Sequence, residues 1–184
     1  MERLNPSARR DAYGSKINRD HSPVLAYGLP WLTIILGSLA PLLPTIALAP
    51  VVPPLGYMML LAWRLARPGL LPMWAGLPLG FIDDMYSGQP LGSGILLFSL
   101  TMIALELLEM RFPWRSFWYD WLTAAGFLVI YLFLAALVSG ADLTWMQFQL
   151  LIPQALLTVL LFPIIAKVVS LFDRMRLSRV RRIG

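Results

Sequence analysis

The sequence contains no cysteine and only one histidine in 184 residues. The absence of cysteine excludes a disulfide scaffold, a thiolate metal site and a cysteine nucleophile. One histidine leaves too few ligands for most zinc sites and few groups for acid–base catalysis. The chain also lacks the nucleophile-elbow and phosphate-loop motifs of common enzymes. We therefore expect no catalytic residue, no metal site and no cofactor.

Charged residues are scarce as well. They make up 14% of the chain, whereas 58% of the residues are hydrophobic and the mean hydropathy is +0.69. Soluble domains average about 25% charged and about 45–50% apolar residues. So few charges do not cover the surface of a soluble globule of this size. This composition excludes an ordinary cytosolic domain, a disordered tail and a collagen-like fibre.

Long uncharged runs separate the charged segments. A transmembrane helix needs about 20 mainly apolar residues, and three runs of 21, 21 and 24 residues each suit one span. A run of 42 residues suits two spans joined by a turn, and a run of 15 residues gives one short span. The runs predict six transmembrane helices, over residues 24–44, 50–66, 69–85, 90–110, 118–139 and 145–168.

The basic residues define an orientation for these helices. With a cytoplasmic N-terminus, all 15 Lys and Arg fall in or beside the cytoplasmic segments, and the opposite side carries three aspartates. This asymmetry follows the positive-inside rule. We therefore predict an all-α integral membrane protein with both termini in the cytoplasm. It has a basic N-terminal arm (1–23), a six-span membrane domain (24–168) and a basic tail (169–184). The net charge of +5 then reflects membrane orientation and not nucleic-acid binding.

Glycines recur at regular spacing around two adjacent acids in residues 76–94. Small residues four apart let helix backbones approach closely in lipid. We interpret the set as a helix-packing surface, with a partner interface as the alternative. Its members are Gly76, Gly80, Asp83, Gly88 and Gly92.

Asp83 and Asp84 have different expected roles. An ionisable residue in or near a membrane span is by default a functional candidate, because its burial is costly. We expect Asp83 either to cap the fourth span or to pair with a polar group deeper in the bundle. Asp84 lies next to a turn-like sequence and is expected to be an exposed loop acid.

Gln154 lies in the middle of the sixth span, directly after Pro153. A mid-membrane amide must find a hydrogen-bond partner, and a proline frees a backbone carbonyl nearby. An interhelical hydrogen bond and a polar pocket both satisfy that requirement. Asp83 and Gln154 together form the candidate intramembrane polar site.

Two charge clusters lie near the predicted cytoplasmic side. Glu106 and Glu109 share one helix face near Arg111 and Arg115, which predicts an interfacial charge cluster, with a docking site as the alternative. The tail is rich in arginine, and such residues attract anionic lipid at about 1 kcal/mol each. A cytoplasmic partner is the alternative ligand of the tail. The tail residues are Arg174, Arg176, Arg179, Arg181 and Arg182.

Three of these features together resemble a known family. The second span ends in a W-x-x-x-R-P-like sequence at Trp63–Pro68, and the Gly76–Gly92 segment has a G-x-x-x-G-x-x-D-x-x-x-x-G-x-x-x-G spacing. The last span carries Gln154, Thr158 and Pro163 before a basic tail. Over most of residues 24–176 this pattern resembles the rod shape-determining protein MreD family. The long polar N-terminal arm and the doubled aspartate depart from the family pattern.

The resemblance implies a non-enzymatic component of the bacterial cell-elongation machinery in the inner membrane. Its implied partners are MreC, the MreB filament, the polymerase RodA and a penicillin-binding transpeptidase, and its implied role is to organise peptidoglycan synthesis. The fold is expected to resemble the substrate-binding subunit of energy-coupling vitamin transporters. That likeness provides the alternative function, a membrane solute- or lipid-binding or transport subunit, with a cavity of about 300 Å³ or more. A membrane enzyme that uses the paired acids is a third alternative.

Overall fold

The computed structural model describes residues 19–21, 23–42, 52–111, 116–140, 145–176 and 179–181. Within these ranges the chain forms six α-helices: α1 (Pro23–Ser38), α2 (Leu55–Ala66), α3 (Gly76–Ser87), α4 (Ser93–Arg111), α5 (Phe117–Val138) and α6 (Trp145–Arg176). Short 3₁₀ turns lie at Ala40–Leu42 and Met73–Ala75. Two three-residue strands, β1 (Arg19–His21) and β2 (Arg179–Arg181), pair antiparallel. The predicted all-helical class is correct, and each of the six predicted segments overlaps one helix.

Three of the helices are long and apolar enough to cross a membrane: α4, α5 and residues 151–176 of α6. The others are shorter, with 16 residues in α1 and 12 each in α2 and α3. A 12-residue helix is about 18 Å long, less than the ~30 Å of bilayer hydrocarbon. The topology with six complete spans therefore stays a prediction.

α2 forms the centre of the bundle. Nine of its 12 residues are buried, and it packs against α1, α5 and α6. Tyr57, Leu61 and Trp63 on α2 join Phe98 on α4 and Leu128 on α5 in one apolar core. A helix that is apolar on most of its circumference is stable only when other helices surround it. This burial explains how such a short helix is held in place.

The α1–α2 connection is longer than predicted. α1 ends at Ser38 instead of residue 44, and α2 begins at Leu55 instead of residue 50. Proline has no backbone N–H, and it restricts the residue before it to extended conformations. Pro41 follows the end of α1, and Pro53 and Pro54 directly precede α2. The prolines therefore shorten both helices, whose uncharged sequence would otherwise permit longer spans.

The third predicted span is helical only in its second half. Residues 67–75 form turns and a 3₁₀ segment, with Gly69 at φ +78°, because Pro68 and Pro72 interrupt helical hydrogen bonding. α3 begins beside Ser99 of α4, since a Cβ added to Gly76 would lie 2.8 Å from the Ser99 Cα. Irregular backbone at membrane depth needs protein contacts, and buried Leu71 and Ala75 provide them.

The two ends of the bundle differ in charge. At one end, called the basic end, α2, α4 and α6 finish with Arg64, Arg111 and Arg176 in their last turns. The β1–β2 pair also lies there, because β1 leads into α1 and β2 follows α6. The other end, called the acidic end, carries Asp83 and Asp84 on α3. Both described chain ends therefore leave the bundle at its basic end.

Candidate functional site

A cavity of about 290 Å³ opens at the acidic end, between α1, α2, α3, α5 and α6. Its apolar lining includes the segment that precedes α2, from Val52 to Pro54. No Lys, Arg or His belongs to the described residues of this lining. The polar side chains come from four different helices and the α3–α4 turn: Ser38, Asp83, Ser87, Gln89, Tyr131 and Gln154.

Asp83 supplies the only carboxyl group of the described cavity lining. The residue is 7% exposed. A Cβ added to Gly56 at the start of α2 would lie 3.0 Å from its Oδ1 atom. The hydroxyl group of Ser38 is buried on the same side and interacts with the Asp83 carboxyl group. Asp83 therefore lies beside a polar group of α1 and faces the cavity.

Gln154 contributes a second polar group to the same cavity. Its Nε2 donates a hydrogen bond to the Val52 carbonyl oxygen at 3.0 Å, so the sixth helix is tied to the segment before α2. The Thr158 hydroxyl group donates to the Gln154 backbone carbonyl at 2.6 Å, one turn after Pro153. The two members of the candidate polar site, Asp83 and Gln154, thus lie on the same cavity although 71 residues separate them in the sequence.

Two stacked tyrosines border the cavity on its inner side. The rings of Tyr57 and Tyr131 lie 3.9 Å apart with an 18° interplanar angle. The Tyr57 hydroxyl group forms a hydrogen bond of 2.7 Å with the Thr101 hydroxyl group and does not line the cavity. Tyr131 lines the cavity together with Gln89. Tyr57 therefore covers one face of Tyr131 in the cavity wall.

Asp84 caps α4, in contrast to the prediction that it is an exposed loop acid. It is 4% exposed and accepts hydrogen bonds from the backbone N–H groups of Gly92 (2.8 Å), Gly94 (2.6 Å) and Ile95 (3.3 Å). The Ser93 hydroxyl group donates to it at 3.1 Å. The first N–H groups of a helix need such an acceptor. The prediction was wrong because the α3–α4 turn folds these groups back over Asp84.

The glycines of this segment have two different roles. Gly76 and Gly80 pack inside the chain: a Cβ on Gly76 would meet Ser99, and one on Gly80 would overlap the Gly94 carbonyl group. Gly88 and Gly92 have φ angles of +70° and +100° with no neighbour within 4 Å of an added Cβ. They form the turn and do not pack helices, because only glycine adopts this conformation without strain. Within the described residues neither glycine packs against another helix, and their alternative role in a partner interface stays a prediction.

At the basic end, a buried arginine joins α2 to α4. Arg64 is 1% exposed and forms ion pairs with Glu106 and with Glu109, the latter at 3.3 Å. The sequence had suggested Arg111 and Arg115 as the neighbours of these glutamates. Arg111 is exposed, and Arg115 lies outside the described residues. The two acids therefore stabilise a helix contact within the chain.

A second charge cluster joins α6 to the segment after α2. Asp173 pairs with Arg67 at 2.9 Å and with Arg176 at 2.6 Å. The Arg176 guanidinium lies 5.8 Å from the centre of the Trp63 ring, and Trp63 donates a hydrogen bond to Thr33 on α1 at 2.8 Å. The cluster thus connects three helices at the basic end.

Arg176 is one of the five tail arginines and is not available at the surface. Arg176 is 7% exposed and engaged with Asp173, so its charge serves packing within the chain. Arg174 is exposed, Arg179 and Arg181 lie in β2, and Arg182 lies outside the described residues. No group of three or more metal-ligating side chains occurs in the described part of the chain.

A family model described as rod shape-determining protein MreD matches residues 27–175. The chain belongs to the MreD family. The matched region contains the acidic-end cavity and both charge clusters except Arg176, and the match confirms the family resemblance. Together with three membrane-length apolar helices, membership identifies a membrane protein with a role in rod-shape determination. No curated protein and no solved structure matches the chain, so the likeness to a vitamin-transporter subunit stays a prediction.

Two features of this MreD-family protein were not identified from the sequence. Gly37 and Gly56 form the α1–α2 crossing, where a Cβ on Gly37 would lie 3.0 Å from the Gly56 Cα. Arg64 is the buried ion-pair partner of α4. Isolated glycines in apolar runs and an arginine inside a predicted span are signals of close contacts. Neither signal identifies the contacting residue without the fold.

Proposed function

We propose that this MreD-family protein is a non-enzymatic, multi-pass scaffold in the bacterial inner membrane. It binds an MreC-like protein and helps organise peptidoglycan synthesis by a RodA-like polymerase and a penicillin-binding transpeptidase, near an MreB-like filament. Anionic lipids contact the basic tail. The main support, beside family membership, is that buried charges join helices. Arg64 joins α2 to α4, Asp84 joins α3 to α4, and Asp173 joins α6 to Arg67.

Such contacts favour a rigid bundle that presents a fixed outer surface. Removing one partner of a fully buried ion pair costs about 3–5 kcal/mol. The contacts here cost less to break, because Glu106 is 39% and Arg67 51% exposed, but they still oppose rearrangement of the helices. On α3 and α4 the outer surface carries exposed apolar side chains, among them Phe81, Leu100 and Ile103. On α5 and α6, Ile130 and Leu160 are exposed in the same way. A partner's transmembrane helix binds one of these faces.

Photo-crosslinking tests this proposal and locates the contact. A photoreactive amino acid is placed singly at Phe81, Ile103, Ile130 and Leu160 in cells that also produce the MreC-like protein. We expect a crosslink to that protein from one face and none from the opposite face, together with co-purification from detergent. Depletion of the chain should give round cells. Normal rods after depletion would contradict the shape role, and four silent positions without co-purification would contradict the partner.

The second candidate function, a solute- or lipid-binding subunit, is favoured by one observation. The acidic-end cavity has a volume of about 290 Å³ and polar lining from several helices, close to the size expected for such a subunit. A scaffold does not need a cavity of this kind. The two functions are compatible, because the cavity lies inside the bundle and the apolar faces lie outside it.

A further inference from the structure

The acidic-end cavity has an unbalanced negative charge. Asp83 is its one described acid, and no described cation lines it. The described buried arginines, Arg64 and Arg176, pair with other acids at the basic end. A buried carboxylate without a counter-charge is costly, and such a residue in a membrane domain marks a functional site.

Several hydrogen-bond acceptors line the cavity beside the Asp83 carboxyl group. Ser38 is 2% exposed, and its hydroxyl group interacts with Asp83. The Gln154 Nε2 donates to Val52, and its Oε1 remains as an acceptor. Pro53 and Pro54 have no N–H donor, and the Pro54 carbonyl accepts a hydrogen bond from the Met58 backbone N–H. A cationic donor would therefore meet one carboxyl group and neutral acceptors in the described lining.

Three helix ends lie at the cavity and modify this charge. The C-terminus of α1 lies there through Gly37 and Ser38, the C-terminus of α3 through Ser87, and the N-terminus of α2 through Leu55 and Gly56. Each helix end carries roughly half an elementary charge, negative at a C-terminus and positive at an N-terminus. Two negative ends and one positive end do not compensate the charge of Asp83.

We propose that this cavity binds a small ligand through a primary ammonium group. An ammonium group has a positive charge and three hydrogen-bond donors, which complement Asp83, Ser38 and the Gln154 Oε1. A phosphate or carboxylate would be repelled by Asp83. Since one water occupies about 30 Å³ of liquid, the volume suits a head group and not a large solute. Free amines and the head group of an ethanolamine lipid both provide this chemistry.

A thermal-unfolding titration of the full chain in detergent tests the site. The probes are ethanolamine and ethylene glycol, which has a hydroxyl group in place of the ammonium. We expect ethanolamine alone to raise the melting temperature. Asp83→Asn should weaken its apparent affinity about tenfold or more, as expected for loss of a charged hydrogen bond. Asp120→Asn removes an acid from α5 outside this cavity and should leave the affinity unchanged.

A second measurement does not depend on how a variant folds. Dicyclohexylcarbodiimide labels buried carboxyl groups in membrane proteins, and mass spectrometry gives the extent of labelling at Asp83 in the unaltered chain. Ethanolamine also attacks a carbodiimide-activated carboxyl group, which gives the ethanolamide and releases the urea, so both products at Asp83 are counted. Bound ethanolamine should lower their sum, and ethylene glycol should not. Ser38→Ala, which keeps the carboxyl group, should reduce the protection. Equal labelling rates with both probes, together with equal melting temperatures, would exclude a site for free amines.

Nanodiscs separate the two sources of the ammonium group. Phosphatidylethanolamine and phosphatidylcholine nanodiscs with the same acyl chains differ in the N–H donors of the head group. If Asp83 is protected in phosphatidylethanolamine nanodiscs but not in phosphatidylcholine nanodiscs, the lipid is the source of the ammonium group. If only added ethanolamine protects Asp83, a free amine is the source. No protection by either would overturn the proposal. The site does not depend on the scaffold role, since failure of MreC-like binding would leave these measurements unchanged.

Discussion

Gly80 and Gly126 are both helical glycines, but only Gly80 has a neighbour where a Cβ would lie. The added atom at Gly80 would overlap the carbonyl group of Gly94, whereas Gly126 on α5 has nothing within 4 Å. The sequence identifies Gly80 through its spacing from Gly76, because small residues four apart pack helices. It does not show that the opposing helix is α4 of the same chain.

We predict that Gly80→Ala destabilises the bundle and that Gly126→Ala does not. The first change forces α3 and α4 apart, and overpacking of this kind costs about 1–3 kcal/mol. The second replaces glycine in an open helical position, where alanine is favoured by about 0.5–1 kcal/mol. Thermal unfolding of both variants in one detergent checks the contrast. Equal melting temperatures would mean that the α3–α4 contact is looser than described.

Asp83 and Asp84 are both buried, but their side chains have different partners. Asp84 accepts four hydrogen bonds from the start of α4, whereas Asp83 faces the cavity. Two neighbouring aspartates have the same chemistry in the sequence, and only their directions on α3 distinguish them. The prediction that Asp84 is exposed was wrong. A turn-like sequence usually indicates solvent exposure, but the backbone N–H groups after this turn cover the Asp84 carboxylate.

We predict that Asp84→Ala destabilises the protein more than Asp83→Ala does. Loss of a helix cap costs about 0.5–2 kcal/mol, and here several donors at the start of α4 lose one acceptor. Asp83→Ala removes a charge that has no described cation partner and should have a smaller effect. Hydrogen exchange at residues 92–95, measured beside thermal unfolding, should accelerate in the Asp84 variant only. Faster hydrogen exchange in both variants would mean that Asp83 and Asp84 cap α4 together.

α2 is a short helix whose position depends on its neighbours. The sequence predicts this helix over residues 50–66, at the end of an uncharged 42-residue run. Pro53 and Pro54, which shorten the helix, belong to the same run. The burial of Arg64 was not predictable, because an arginine near the end of a span usually extends to the interface. Here Glu106 and Glu109 approach from α4 and provide the opposite charge.

We predict that Arg64→Gln is strongly destabilising because it leaves two acids without their arginine. Breaking a fully buried ion pair costs about 3–5 kcal/mol, and we expect a smaller loss here because Glu106 is 39% exposed. Arg174→Gln, an exposed change in the last turn of α6, should have little effect. The triple variant with Glu106→Gln and Glu109→Gln should recover part of the loss, as measured by denaturant or thermal unfolding. Equal destabilisation by Arg64→Gln and Arg174→Gln would contradict the role of the pair.

The whole molecule has one basic end and one acidic end, which suits a single orientation in the membrane. The positive-inside rule predicts a cytoplasmic basic end. Cysteine labelling can test the orientation without background, because the chain has no cysteine of its own. Ser139 and Ser170 are matched sites: both are exposed, and each hydroxyl group donates to the carbonyl three residues before it.

We predict that Ser139→Cys reacts with an impermeant maleimide in intact spheroplasts and that Ser170→Cys reacts only after the membrane is disrupted. Ser139 follows α5 at the acidic end, and Ser170 lies in α6 toward the basic end. The opposite labelling pattern would invert the topology. Labelling of both residues in intact spheroplasts would mean that α6 does not cross the membrane.

The sequence by itself determined the class of the protein, because that depends on composition and on the order of residues. Scarce charge and long apolar runs require a lipid environment, and the glycine–aspartate spacing identifies the family. Tertiary structure alone decided the contacts. It placed Asp83 and Gln154 on one cavity, turned Asp84 toward α4, and paired Arg64 with Glu106 and Glu109. The physical reason is that hydropathy depends only on neighbouring residues in the sequence. The partner of a side chain depends on which distant segment the fold places beside it.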